Sequence, residues 1–172
     1  GENPFLSDFY ADRPGAALQA QLFFLLNRHR QQSGLRQSDL FSQVTICDYL
    51  FDKDRIFAFL NLDDNELFIY ERLYELLARD VMPPDLVIYL QAPIDALQER
   101  VKRRGVEYER SMDAGYLQRL ANSYSEFFHR YEAAPLLIVN TSNLNFAQSE
   151  ADFELLVERI EGRDAAPRVV DV

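Results

Sequence analysis

Between Met82-Pro83-Pro84-Asp85 and Pro93 the chain carries Leu86-Val87-Ile88-Tyr89-Leu90, an unbroken apolar run of strand length. Such a run has no polar side to turn to water, so it predicts a strand buried on both faces, as in parallel sheets. Leu136-Leu137-Ile138-Val139-Asn140 is a second run of this kind. Val44-Thr45-Ile46-Cys47 reads as a shorter third, buried and leading into Asp48. The segments between them have helical periodicity. Buried strands separated by helices predict an α/β fold, a parallel sheet flanked by helices. Three strands make a thin sheet for this much helix. There is no internal repeat and no low-complexity segment.

The helices can be placed from their apolar stripes. Residues 1–15 mix turn formers with Phe5, Leu6, Phe9 and Tyr10, which predicts a short helical turn pinned to the core. Ala16–Gln32 follows Pro14, with Leu18, Leu22, Leu25 and Leu26 at helical spacing and Phe23 and Phe24 widening the face. Ser33-Gly34 marks its expected end. Helix is expected again over 49–60. Asp63 or Asp64 can cap a helix over 65–78 with Leu67, Tyr70, Leu73, Tyr74 and Leu77 as its stripe. Pro93 starts a helix ending near Arg104-Gly105; further helices are expected over 114–131 and 150–160. Residues 1–161 form one domain in this reading, and 162–172 a mobile tail.

A chain of 172 residues is long enough for one real core, and 48% apolar with 27% charged residues is ordinary for a soluble globular protein. No apolar run approaches a membrane span and no secretory signal opens the chain. Cys47 is the single cysteine, so no internal disulfide forms; a reducing cytoplasm fits, and the residue reads as core. The net charge of −10 argues against a nucleic-acid polymer as partner, since backbone phosphates need a basic surface. A small phosphorylated ligand needs only a local basic cluster.

That cluster exists: Arg100, Lys102, Arg103 and Arg104, closed by Gly105. Cations favour a helix C-terminus, which accounts for one or two of them. Four so close together repel one another, and arginine forks suit phosphoryl oxygens. Two polar residues also interrupt the apolar face of helix 16–32. Gln21 and Arg28 lie seven apart, on the same side as Leu25. They are either solvated groups at a helix edge, the commoner case, or fixed polar groups in the wall of a ligand site. Asp48 ends a strand at the edge where parallel sheets bind ligands, or simply caps the next helix. Asp54 and Arg55 alone read as a solvated pair. Glu107-Tyr108-Glu109 follows the basic cluster as a loop that offsets its charge. Neither His29 nor His129 has a metal-ligand neighbour at the required spacing.

Together these pieces resemble the deoxynucleoside kinase family, and within it the bacterial deoxyadenosine/deoxyguanosine kinase branch. Glu2-Asn3-Pro4-Phe5-Leu6 with Phe9-Tyr10, Gln21 with Arg28, Cys47-Asp48-Tyr49-Leu50-Phe51 with Ile56-Phe57-Ala58, and Arg100 to Glu109 carry the resemblance. It implies a P-loop nucleoside-kinase-like fold and transfer of the γ-phosphoryl of ATP to the 5′-hydroxyl of a deoxynucleoside, deoxyadenosine or deoxyguanosine. It gives Gln21 and Arg28 to the base, Phe57 to stacking on it, and Tyr10 with Glu109 to the sugar 3′-hydroxyl. Asp54 helps to recognise a purine. Asp48 lies near the magnesium ion and phosphates, and Arg100 and Arg104 contact the phosphates of ATP. A helix-mediated homodimer is also implied.

The departures are specific. Val106 stands where many relatives carry Arg, and Tyr49 replaces the arginine of the family's Glu-Arg-Ser motif. No G-x-x-x-x-G-K-[ST] run occurs, and the resemblance places the general-base glutamate upstream of Glu2. The first two strands and the phosphate loop are absent from these 172 residues. We therefore expect the gene product to carry roughly 30–45 further N-terminal residues, the size of a strand–helix–strand unit. We also expect the chain alone to be inactive, with the strands at 44–47 and 86–90 facing a gap. The rival readings are a non-catalytic nucleotide- or partner-binding module, the kinase half of a fused enzyme, and a nucleoside monophosphate kinase.

Overall fold

The two longer apolar runs form β1 (Val87–Gln91) and β2 (Leu136–Asn140), paired in parallel with Val87 opposite Leu136 and Gln91 opposite Asn140. The computed structural model describes residues 3–38, 44–106, 114–142, 144, 146, 149–162 and 168–170. Its helices are α1 (Leu6–Tyr10), α2 (Ala16–Ser38), α3 (Asp54–Asn61), α4 (Asp64–Ala78), α5 (Ile94–Arg104), α6 (Ala114–His129) and α7 (Glu150–Glu161). A single 3-10 turn, Phe51–Lys53, leads into α3. No described helix is long and apolar enough to cross a membrane. The chain divides into two compact units, residues 1–82 with 107–125, and residues 83–106 with 126–172.

The first unit is helical. Its core gathers Leu25 of α2, Phe51, Ala58 of α3 and Tyr70 and Tyr74 of α4, with Leu18, Leu22, Leu67, Leu73 and Leu77 around them. Leu18, Leu22 and Leu25 of the stripe expected for α2 meet the stripe expected for α4 there, while Leu26, expected in the same stripe, is 47% exposed. Asp63 starts α4: its carboxylate accepts from the backbone N–H of Asn65 and Glu66, and Glu66 returns the bond to Asp63 N. A cap of this kind stabilises a helix by about 1 kcal/mol. α1 is pinned to α2 as anticipated, by Asn3 Nδ2 donating to Ala20 O at 3.0 Å and by Phe5 edge-on to Phe23.

Three expectations in this unit need correction. α2 does not end at Ser33-Gly34 but runs on to Ser38. The Ser33 hydroxyl bonds back to His29 O at 3.0 Å, and nothing lies within 4 Å of a Cβ at Gly34, so neither residue obstructs the helix. Val44–Cys47 is neither a strand nor buried: Val44 is 74% and Ile46 92% exposed. β-branched composition alone does not make a strand, and none is formed over 44–47. Cys47 is accordingly exposed, not core.

The second unit holds the sheet, in the order β1-β2-β3. β3 (Arg168–Val170) pairs in parallel with β2 and lies in the tail expected to be mobile; β2 has a second edge to fill, and α7 carries the chain back to it. β2 is buried at Leu136, Leu137 and Val139, as its sequence demands. β1 is buried at Val87 but leaves Ile88 37% and Leu90 47% exposed. It is the edge strand of the described sheet, so burial on both faces, expected from its unbroken apolar run, is not reached. Tyr89 is covered by Phe128, whose ring stacks on it at 4.3 Å.

Candidate functional site

Gln21, Leu25 and Arg28 lie on one face of α2, one turn apart in succession. Leu25 is fully buried, and its neighbours follow it inward. Gln21 is only 4% exposed, and its Oε1 has no hydrogen-bond partner among the described residues. Arg28 keeps 19% of its side chain exposed and forms an ion pair with Asp54 through Nη1 and Oδ1. The solvated reading of both α2 residues therefore fails.

Asp54 is completely buried at the start of α3. On its own sequence it reads as solvated, and it is Arg28, 26 positions earlier, that makes its burial tolerable. Its second oxygen, Oδ2, accepts from the hydroxyl of Tyr70 at 3.0 Å. Burial raises the pKa of Tyr70, so this phenol stays protonated and donates. Arg55, the neighbour of Asp54, goes elsewhere: its Nε and Nη2 donate to the two oxygens of Glu71 at 3.0 and 2.9 Å. Burial works against its charge, but the Glu71 bonds outweigh that and raise its pKa.

Several other groups converge on Arg28. Burial lowers its pKa, and Tyr124, Tyr70, Tyr49 and Asp48 act in the opposite direction. Its guanidinium also lies 5.3 Å from the ring centre of Phe24. The Tyr49 hydroxyl is buried with no hydrogen bond to a described residue. Lys53 has its pKa lowered by burial and by Arg28, with Asp48 acting against them. Phe57 meets Tyr124 edge to face at 6.1 Å, and its carbonyl accepts from Asn61 Nδ2. Tyr10 is half-buried at the end of α1, its ring edge-on to Phe9 at 5.1 Å. Asp48 is exposed. No group of three or more metal-ligating side chains exists among the described residues, but magnesium is commonly held by one or two carboxylates and the substrate's phosphates. An exposed Asp48 fits that mode.

In the second unit, Arg100 is latched to Thr141 just beyond β2: Nη1 donates to Oγ1 at 3.2 Å and Nη2 to the carbonyl at 3.1 Å. Thr141 in turn bonds Gln91 O, at the end of β1, through both N and Oγ1. The guanidinium thus sits at the carboxyl ends of two parallel strands, where such sheets bind ligands. Lys102, Arg103 and Arg104 occupy the exposed last turn of α5, which ends on Gly105 at φ 70°. Glu109 lies outside the described residues. The structure thus brings Gln21, Arg28, Asp54 and Phe57 into one helical unit and places Arg100 and Arg104 in the other.

A buried amide with an unpartnered oxygen, on the same helix face as a carboxylate-held guanidinium, makes a hydrogen-bonding wall for a flat polar ligand. The family model described as deoxynucleoside kinase matches residues 1–163. The chain belongs to the deoxynucleoside kinase family. A deoxyguanosine kinase of this family from Bacillus subtilis is 29% identical over 167 residues, covering 93% of this chain and 80% of its own length. A deoxyadenosine kinase from Dictyostelium discoideum is 32% identical over 149 residues, or 82% of this chain and 59% of that protein. Among solved structures, deoxyadenosine kinase from M. mycoides with dCMP and dCDP bound superposes with a TM-score of 0.77. It is 25% identical and is matched over 94% of this chain and 82% of its own. The P-loop nucleoside-kinase fold expected from the sequence is thereby upheld.

For this deoxynucleoside kinase chain, sequence reasoning overlooked Lys53, Tyr70 and Tyr124 around Arg28. By sequence Tyr70 is one more residue of the apolar stripe of α4. The signal available was its phenol: a tyrosine at the buried centre of a stripe needs a partner for its hydroxyl.

Proposed function

We propose that this protein transfers the γ-phosphoryl of ATP to the 5′-hydroxyl of a purine deoxynucleoside, deoxyadenosine or deoxyguanosine. The observation that carries the reading is Gln21, buried with a free Oε1, on the helix face that also presents Arg28. An adenine edge offers an amide one donor and one acceptor, and a guanine edge offers a guanidinium two acceptors. A glutamine and an arginine on one wall therefore suit a purine. The family relatives named as deoxyguanosine and deoxyadenosine kinases support this choice. Phe57 stacks on the base in this reading, and Asp54 acts on it by holding Arg28. Tyr10 and Glu109 take the 3′-hydroxyl.

ATP brings the transferable phosphoryl group and Mg²⁺ neutralises its charge; catalysis is then positioning and electrostatics. Asp48 would hold the metal, and Arg100 and Arg104 would bind the phosphates. We place the protein in the cytoplasm, where an exposed lone thiol such as Cys47 stays reduced.

A coupled ADP-release assay tests the proposal. It should show turnover that depends on deoxyadenosine or deoxyguanosine. No turnover with any deoxynucleoside would sink it, and turnover confined to nucleoside monophosphates would replace it. In the same assay Gln21→Ala should raise KM for the nucleoside roughly tenfold or more and leave KM for ATP unchanged, since a buried polar base group loses its partner. Equal effects on both would contradict a base-binding role.

We also infer a homodimer through α4. Phe68, Ile69 and Leu76 are 63%, 53% and 58% exposed and share one helical face with Arg72, whose guanidinium covers Phe68. Light scattering should give twice the chain mass, and Phe68→Asp with Leu76→Asp should give monomers. A wild-type monomer at micromolar concentration would rule the dimer out.

A further inference from the structure

Asp54 is gripped from α4. We propose that Tyr70 is a specificity-determining positioning residue, whose hydroxyl fixes the Asp54 carboxylate so that Arg28 keeps donors free for the base. The proposal rests on the base-site reading of Gln21 and Arg28 and goes beyond it, since Tyr70 touches no substrate.

Asp54 can offer Arg28 either or both of its carboxylate oxygens. Its terminal torsion is broad and nearly two-fold, so a buried aspartate beside one arginine can swing both oxygens onto the guanidinium. A fork engaged on two parallel bonds has fewer N–H groups left to offer. Here the contact runs from Nη1 to Oδ1, and Oδ2 is taken by Tyr70 at 3.0 Å. Tyr70 therefore divides the carboxylate, giving one oxygen to α4 and leaving one for Arg28. Guanine, which accepts from a guanidinium, is the base that such an arrangement serves most directly.

Tyr70 is itself held firmly. It is fully buried and stacked on Tyr74 at 6.3 Å and 23°, and Tyr74 stacks on Phe51 at 5.3 Å and 20°. The Tyr74 hydroxyl donates to Asp52 Oδ1, and Arg55 lies 5.1 Å over the Tyr74 ring while bonding Glu71. Three pairs, Tyr70 with Asp54, Tyr74 with Asp52 and Arg55 with Glu71, thus join α4 to the segment from Phe51 to Arg55. Only one of them reaches Arg28. Tyr74 is therefore a built-in control, the same chemical group on an aspartate outside the site.

The experiment compares Tyr70→Phe and Tyr74→Phe in the active enzyme, with KM and kcat for deoxyguanosine, deoxyadenosine and ATP, and unfolding midpoints. Both variants should lose stability. Tyr70→Phe alone should raise KM for deoxyguanosine roughly tenfold, the scale of one hydrogen bond to a charged group, with KM for ATP unchanged. It should also narrow the ratio of kcat/KM between the two purines. If Tyr70→Phe behaves like Tyr74→Phe, or raises both substrates' KM equally, the proposal is overturned. Gln21→Ala separates the two levels: if it raises nucleoside KM while Tyr70→Phe does not, only the Tyr70 role fails. If neither variant does, the base site fails as well. Should Tyr70→Phe not fold, Asp54→Asn decides the matter. With Tyr70 donating to its amide oxygen, its NH2 must face Arg28, so nucleoside KM rises; an unchanged KM overturns the proposal.

Discussion

Replacing Arg28 by Met should lower the unfolding free energy by about 3–5 kcal/mol, the scale for removing one partner of a buried ion pair. Asp54 is fully buried and its Oδ1 meets Arg28, so the variant leaves a carboxylate with only the Tyr70 bond. Methionine keeps much of the stem that packs near Phe24 and removes the charge alone. Urea unfolding followed by circular dichroism measures the loss. Adding Asp54→Asn to Arg28→Met should restore more than half of it, because the neutral amide does not have to be buried as an ion. Non-additivity of that size identifies the pair as one unit. A loss below about 1 kcal/mol, typical of exposed pairs, would mean that solvent reaches Asp54. Nucleoside KM should rise by at least as much in Arg28→Met as in Gln21→Ala, since Arg28 is the counter-charge of Asp54 and, in the proposed function, a base donor as well.

This dependence on a distant partner also explains what the sequence did and did not reveal. The runs at 86–90 and 136–140 were legible because an unbroken apolar run is intolerable in water whatever surrounds it. Val44–Cys47 has a similar composition but is short and exposed, and β-propensity without burial on a sheet face does not make a strand. The end of α2 was misplaced because Ser33 and Gly34 are stop signals only if the helix has a reason to stop. Gln21 and Arg28 stood out as polar residues on an apolar face. Asp54 did not, since it sits between Lys53 and Arg55 in what reads as a charged, solvated turn. Its burial depends on Arg28 and Tyr70, from α2 and α4, and no local pattern encodes that meeting. Likewise the partner of Arg100 is Thr141, 41 residues away. The family resemblance supplied roles for the site residues, and the structure supplies the network that holds them.

Leu25→Ala should cost about 2–5 kcal/mol, the range for emptying a buried leucine site. Leu25 has no exposed surface and packs with Phe51, Ala58, Tyr70 and Tyr74. Its neighbours cannot collapse easily into the void. Phe51 is stacked on Tyr74, and Tyr70 and Tyr74 are tied by their hydroxyls to Asp54 and Asp52. That places the expected loss in the upper half of the range. The expected functional effect follows from position: Leu25 lies one turn from Gln21 and one turn from Arg28, so the cavity opens directly beneath the proposed base-binding wall. Nucleoside KM should therefore rise together with the loss of stability, while KM for ATP should not. Leu25→Met, which keeps the volume, should cost below about 1.5 kcal/mol and leave both constants near wild type. A Leu25→Ala protein that is destabilised yet binds nucleoside normally would separate the core from the wall. The packing seen here predicts that they are two faces of one structure, because the side chains that fill the core around Leu25 include the one that orients Asp54.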